Sequence, residues 1–237
     1  MGAAVVAAAE AAGDRIVAGV DVCPTAATTY PVFTSPEEFG GQADVMIDFS
    51  HHSALEGLLA YATHTGTPLV VCTTGHTEEE MQMMRDAAQK TAIFFSRNMS
   101  LGINLLISLC RRAAATLGED FDIEIIEKHH NQKLDAPSGT ALMIADALSE
   151  REEHSYVYDR HAERRKRARG EIGLHAVRGG TIVGEHEVMF CGKDEIVTLS
   201  HSAASREVFA TGALRAARFM CGRARGFYSM DDVISAL

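Results

Sequence analysis

The sequence predicts an α/β protein, a doubly wound parallel sheet joined to a second, α+β unit with a mixed sheet. Three observations carry this. Over the first hundred residues, short apolar runs alternate with stretches of helical spacing, the pattern of strands crossed over by helices. Between 182 and 201 the runs lengthen and are split by the turn-forming Gly192-Lys193-Asp194. From Ser205 to Arg218 helical spacing returns.

Taken in order, Ala3 to Ala12 reads as an Ala-rich helix closing on Gly13, and Arg15 to Val20 as a short buried strand ending at Asp21. Asp44 to Phe49 is strand-like, Ser53 to His64 helical, and Thr67 to Cys72 a strand broken by Thr74 and Gly75. Glu78 to Lys90 is a helix whose first-turn glutamates suit the positive end of its dipole. Ala92 to Phe95 is a strand, Ile103 to Leu117 an apolar helix, Phe121 to Ile126 a strand, and Ala141 to Leu148 a helix. The charged stretch from Glu150 to Gly170 lacks an apolar face and reads as a surface loop. Ile182 to Phe190 and Glu195 to His201 are strands, and the segment from Gly226 to Leu237 ends in a short helix with an acidic cap.

Composition narrows the functional classes. No apolar run is long enough to span a bilayer and no secretory leader opens the chain, so a soluble, cytoplasmic protein is expected. The odd number of cysteines, 5, with no C-x-x-C pair fits reduced thiols. A formal charge of -10 repels polyanions, so neither nucleic acid nor a membrane surface is an expected partner. A basic run, Arg160 to Arg169, is the one feature favouring nucleic acid, and it lacks interleaved aromatics.

The densest chemistry lies between Glu127 and Ala141. Ser138 is a natural N-cap, so the backbone N–H groups of Gly139 and Thr140 should point outward unpaired and form an anion site, with Lys133 placed to face the same anion. His129 and His130 end the preceding strand, and an imidazole titrates near neutrality, as a general acid requires. Adjacent histidines at a strand end also occur as plain hydrogen-bonded surface groups. A zinc site is disfavoured, because neighbouring strand residues point to opposite faces and no further ligand stands at the needed spacing; no metal is expected.

The block His129-His130-x-x-Lys133-x-Asp135-Ala136-Pro137-Ser138-Gly139-Thr140 resembles the signature of dihydrodipicolinate reductases. Asp48-Phe49-Ser50, Thr73-Thr74-Gly75, the segment Asn98 to Asn104 and the segment Val177 to His186 are similar to that family's other blocks, in the same order. The resemblance implies a Rossmann-like domain at 1–104 and 207–237, and a substrate-binding and tetramerisation domain at 105–206. It implies an oxidoreductase of lysine and diaminopimelate biosynthesis that uses NADH or NADPH to reduce the cyclic dicarboxylate 4-hydroxy-tetrahydrodipicolinate to tetrahydrodipicolinate, as a homotetramer. His129 would be the proton donor and Lys133 a second donor, with His130, Gly139 and Thr140 on the substrate. Asp21 would meet the adenosine ribose, Thr73, Thr74 and Gly75 the nicotinamide half, and Ser96, Arg97, Asn98 and Met99 its hinge side. A carboxylate after the second strand suits ribose hydroxyls, though it equally reads as a plain turn aspartate. The family opens with a strand and a Gly-x-x-Gly-Arg-Met-Gly loop, and this sequence begins at Met1-Gly2, where that loop would end. The expectation is a slot beside the central strands and weak dinucleotide binding, or a catalytically silent subunit of the same fold.

Overall fold

The computed structural model describes residues 1–23, 28–150, 154–161 and 164–237. These residues divide into two units, Met1–Ser100 with Glu207–Leu237, and Leu101–Arg206. The division falls at Ser100, a little before the expected 104, because a helix begins at Leu101.

The first unit contains α1 (Gly2–Ala11), β1 (Gly19–Val20), β2 (Val32–Phe33), β3 (Met46–Asp48), α2 (Leu55–Thr65), β4 (Leu69–Val71), α3 (Glu78–Ala87) and β5 (Ala92–Phe95). The second holds α4 (Leu101–Leu117), β6 (Asp122–His129), α5 (Gly139–Ser149), β7 (Ser155–Val157), β8 (Glu171–Arg178), β9 (Gly184–Cys191) and β10 (Ile196–Ala203). The chain then returns to the first unit with α6 (Glu207–Met220), β11 (Gly226–Tyr228) and α7 (Met230–Ser235).

In the first unit a parallel sheet runs in the order β11-β5-β4-β3. Its central strands are apolar on both faces, as a sheet covered twice requires: Leu69, Val70, Val71, Ile93 and Phe94 are all fully buried. Local signals set the helix ends. Thr77 and Glu80 form a reciprocal capping box at the start of α3, and Gly66, at φ 74°, ends α2 in the left-handed conformation. On α6, Ala210 and Leu214 pack against Val5 and Ala9 of α1, and Arg218 pairs with Asp14 at 2.7 Å.

The segment from Arg15 to Val20 corrects the sequence reading. Only Gly19 and Val20 are strand, and Val20 is 45% exposed. Among the described residues they pair only with β2, in a separate two-stranded parallel sheet, and so narrow a ribbon buries little. Among the described residues the four-stranded sheet ends at β3, with no hydrogen-bonded strand between it and β1.

The second unit is a mixed five-stranded sheet, β10-β9-β6-β8-β7, in which β6 runs parallel to β8 and antiparallel to β9. Helices α4 and α5 cover one face, burying Ile123, Ile125, Val188 and Phe190 of the sheet against Leu106, Ile107 and Ile144. Glu150 to Gly170 is not wholly loop, since β7 lies inside it; the parts of that expectation on 151–153 and 162–163 lie outside the described residues. The basic run folds back on acids of the same unit. Arg160 bridges Glu171 at 3.0 Å and Glu124 at 2.8 Å, Arg167 bridges Glu124 at 3.1 Å and Asp122 at 2.9 Å, and Arg165 contacts Glu171. Arg165, and after it Arg160, holds the Glu171 carboxyl down at about 2. The guanidinium groups of Arg160, Arg165 and Arg167 are thus engaged within the chain.

This clamp depends on Gly173. A Cβ there would stand 1.7 Å from Oε2 of Glu124, whose carboxylate is held by His175 at 2.7 Å and by Arg160 and Arg167. Gly173→Ala is expected to lower stability by about 1–3 kcal/mol, because the displaced group is a side chain that can yield, though only by loosening its ion pairs. Urea unfolding of the variant checks this; a midpoint equal to wild type would show that the carboxylate moves freely.

Candidate active site

The strand period of β6 puts Ile123, Ile125, Glu127 and His129 on the helix-covered face. Glu127 has 0% exposure, a costly place for a carboxylate unless its lone pairs are satisfied. They are. Arg178, from β8, donates a fork, Nη1 to Oε2 at 2.8 Å and Nη2 to Oε1 at 2.6 Å. The Ser138 backbone N–H donates to Oε1 at 3.0 Å, and Nδ1 of His129 lies 2.6 Å from Oε2. Burial alone would raise the Glu127 carboxyl, but Arg178, His129 and the Ser138 N–H outweigh it and leave it below the usual carboxylate range.

Ser138 caps α5, its hydroxyl oxygen accepting the Ala141 N–H at 3.2 Å, and the same hydroxyl lies 3.1 Å from Nε2 of His186. His186 stands opposite Glu127 in the β6–β9 register, edge-on to His129 with ring centroids 5.3 Å apart. Its Nδ1 is buried with no partner. Burial, then the proximity of His129, depresses its pKa to about 4. The unfolded chain therefore takes up this proton first, near its ordinary value of 6.5, so the stability contribution is complete above that pH and is lost as pH falls toward about 4. The loss is about 3 kcal/mol across that window, which lies largely above the range where the carboxylates protonate. Unfolding free energies measured from pH 7 to 4 should fall steeply in wild type and flatten in His186→Gln; parallel curves would contradict it.

Residues 130–135 form the rim. His130 is half-buried and, with Gln132, Thr181 and Arg206, lines a concavity of about 350 Å³. Lys133 pairs with Asp135 at 2.7 Å, and Lys133 foremost holds the Asp135 carboxyl below its ordinary value. The Gly139 N–H also lowers it. The expectation of unpaired donors at the start of α5 is corrected here: Asp135 already engages both the Gly139 N–H and the Lys133 ammonium, and Thr140 is likewise not free. An anion is therefore suited to that position, and a carboxylate of the chain itself stands there. The structure brings His129, His130, Lys133, Gly139 and Thr140 together within the second unit, on β6, the loop after it and the first turn of α5.

The remaining candidates lie in the first unit, at the carboxyl ends of its parallel strands, where open α/β sheets bind ligands. Asp21 follows β1, exposed, its Oδ1 accepting the Cys23 N–H at 2.9 Å. Thr73 follows β4; its hydroxyl donates to the Ser50 carbonyl at 3.2 Å, tying the ends of two strands together. Thr73 and Thr74, with Ser50, His51 and His52, line a concavity of about 330 Å³, and Gly75 at φ 83° leaves open space where a Cβ would point. Ser96, Asn98 and Met99 are buried, and their turn holds itself: the Ser96 hydroxyl donates to the Asn98 carbonyl at 2.7 Å and Asn98 Oδ1 accepts the Ser100 N–H at 2.9 Å. Only Arg97 in that turn is exposed. The residues fit a nicotinamide dinucleotide on these observations: open backbone at Gly75, hydroxyls at the strand ends, and a carboxylate after β1.

Sequence reasoning assigned no role to Glu127, Arg178, Gly184, His186 or Arg206. The signal for four of them was present, since Glu127 opens the block from Glu127 to Ala141, and Arg178, Gly184 and His186 fall in the block from Val177 to His186 that the resemblance marked.

Residues 1–99 match the family model described as dihydrodipicolinate reductase, N-terminus, and residues 102–234 the one described as dihydrodipicolinate reductase, C-terminus. The chain is similar to the 4-hydroxy-tetrahydrodipicolinate reductase of Caldanaerobacter subterraneus subsp. tengcongensis, 53% identical over 222 residues, covering 93% of this chain and 88% of the relative. It is 47% identical over 224 residues to the protein of the same name from Clostridium tetani, covering 94% and 88%. Among solved structures, dipicolinate-bound dihydrodipicolinate reductase from Paenisporosarcina sp. TG-14 superposes with a TM-score of 0.81 at 25% identity, covering 96% of this chain and 92% of that one.

Proposed function

Because the chain belongs to the dihydrodipicolinate reductase family, we propose that it reduces 4-hydroxy-tetrahydrodipicolinate to tetrahydrodipicolinate with a reduced nicotinamide dinucleotide, in lysine and diaminopimelate biosynthesis. The overall change is balanced by one hydride, one proton and the loss of one water. The observation that carries the reading is the grouping of His129 and Lys133 with the N-terminus of α5. When bound, the cofactor supplies the hydride. The chain supplies the rest: His129 holds the proton to be donated, Lys133 is a second donor, and a substrate carboxylate competes with Asp135 for Lys133 and the Gly139 N–H, with His130 and Thr140 beside it. Arg206, on the same concavity as His130, suits the second carboxylate.

Asp21, Thr73, Thr74 and Gly75 hold the cofactor, with the turn from Ser96 to Met99 offering backbone groups and the Arg97 side chain. The first unit is the dinucleotide-binding domain and the second the substrate domain. The chain assembles as a homotetramer through the sheet of the second unit, whose exposed Ile196 and Val177 and alternating β10 support a further layer. Among the described residues no helix is long and apolar enough to cross a membrane, and the cytoplasm is the proposed location.

The test is cofactor oxidation, followed spectroscopically, when the condensation product of pyruvate and aspartate semialdehyde is supplied. Oxidation should depend on that substrate; a folded protein that oxidises no cofactor with it would end the reading. The cofactor form follows from Asp21, an exposed carboxylate that accepts hydrogen bonds from ribose hydroxyls but repels a 2′-phosphate. NADH should give the higher kcat/KM at matched ionic strength, and Asp21→Ala should narrow the gap. A clear NADPH preference in wild type would count against the role of Asp21.

A further inference from the structure

We propose that Glu127 is a positioning residue for His129, one that holds the imidazole by Nδ1 so that Nε2 is the edge bearing the exchangeable proton. Its consequence for turnover rests on the reading of His129 as proton donor; its geometry does not.

A neutral imidazole carries one N–H, and which nitrogen bears it is set by the partner of the other. Ionised Glu127 is acceptor-only, and its Oε2 lies 2.6 Å from Nδ1 of His129. The proton therefore sits on Nδ1 in the neutral ring, and Nε2 is left to gain and release the second one. The arrangement repeats the logic of carboxylate–histidine pairs that orient a base or a metal ligand.

Two features make Glu127 more than a charge partner for Arg178. The Arg178 fork fills one position on each carboxylate oxygen and the Ser138 N–H another, so the carboxylate cannot rotate away from His129. The far edge of the ring is kept clear by a glycine: a Cβ on Gly184 would stand 3.1 Å from Nε2 of His129. The ring is thus fixed on its Nδ1 side and unobstructed by a side chain at this point on its Nε2 side. The other charged or titratable groups facing the pair are Arg178 from β8, His186 from β9 with His201 of β10 behind it, and Lys133 with Asp135 from the loop. His186, held to about 4 by burial, is neutral near pH 7 and does not compete for the proton.

The experiment is nitrogen-15 NMR of the histidine rings in the full chain, comparing wild type, Glu127→Gln and Glu127→Asp, with His129→Gln to assign the resonances. Wild-type His129 should show the Nδ1–H tautomer when neutral. In Glu127→Gln that preference should weaken, with the Nε2–H tautomer gaining population. On the donor reading kcat should fall with it while KM changes less. Glu127→Asp keeps the charge and should recover part of both. If Glu127→Gln does not fold because Arg178 is left unpaired, the double variant Glu127→Gln with Arg178→Met removes both charges and is read in the same way. An Nε2–H tautomer in wild type, or a tautomer unchanged in the variants, overturns the proposal. If His129→Gln keeps wild-type kcat while Glu127→Gln still shifts the His129 tautomer, the donor reading fails and the positioning of the ring stands.

Discussion

His129→Gln is expected to lower kcat by about 10²–10⁴-fold with a much smaller change in KM, the span over which positioned proton donors contribute. Glutamine occupies a comparable volume and keeps a polar end near Glu127, so the fold should survive, but an amide cannot release a proton at neutral pH. The loss corresponds to about 3–5 kcal/mol of transition-state stabilisation. Lys133→Ala should behave differently, raising KM as well as lowering kcat, because Lys133 meets the substrate in the ground state on this reading. Steady-state kinetics on purified variants, with circular dichroism to confirm folding, separates the two patterns. A His129→Gln enzyme with unchanged kcat would move the donor role elsewhere, and His130 is the next imidazole on the rim.

Gly212→Ala is expected to destabilise the first unit by about 3 kcal/mol, the largest effect foreseen for a single methyl group. Gly212 is buried inside α6, where alanine would ordinarily be favoured by about 1 kcal/mol. Here the added Cβ would lie 1.7 Å from the Met99 carbonyl oxygen and 2.8 Å from its carbon. Those are backbone atoms, and no rotamer change moves them, in contrast to the Glu124 side chain that faces Gly173. The helix or the Ser96–Ser100 turn must shift instead, and that turn includes the residues proposed for the hinge side of the cofactor. Thermal unfolding with and without NADH checks both consequences. A variant as stable as wild type would mean that α6 slides freely past Met99.

What the sequence made legible was local. The first-turn glutamates of α3, the N-cap at Ser138 and the apolar runs at β4 and β5 are signals carried within a few residues, and the structure realises each of them. What escaped depended on partners distant in the chain. β8 has no clean alternation, because Gly173 must admit Glu124 and the buried Glu171 serves the arginine clamp. Glu127 stood at the head of the densest block but had no role there, since only the β6–β8 register brings Arg178 within reach. The donors at the start of α5 were expected to be unpaired, because nothing in the spacing of Lys133, Asp135 and Gly139 says that the aspartate folds back on both. Residue type and period disclose a face; the neighbour across the sheet is fixed by register, which the period does not contain.

The way α6 and β11 return to the first unit bears on the order in which a ribosome can complete the fold. The sheet of the first unit has β11 at its margin beside β5, and α1 finds its packing partner in α6. Both elements lie C-terminal to the whole of the second unit. As synthesis proceeds, the host unit waits with β5 and α1 uncovered while its continuous insert, Leu101–Arg206, is made and can gather its own core. At about 5–20 residues per second that interval is on the order of ten seconds. The later-encoded unit is thus the first able to close, and during the interval the nascent chain exposes a parallel strand edge of the kind chaperones bind.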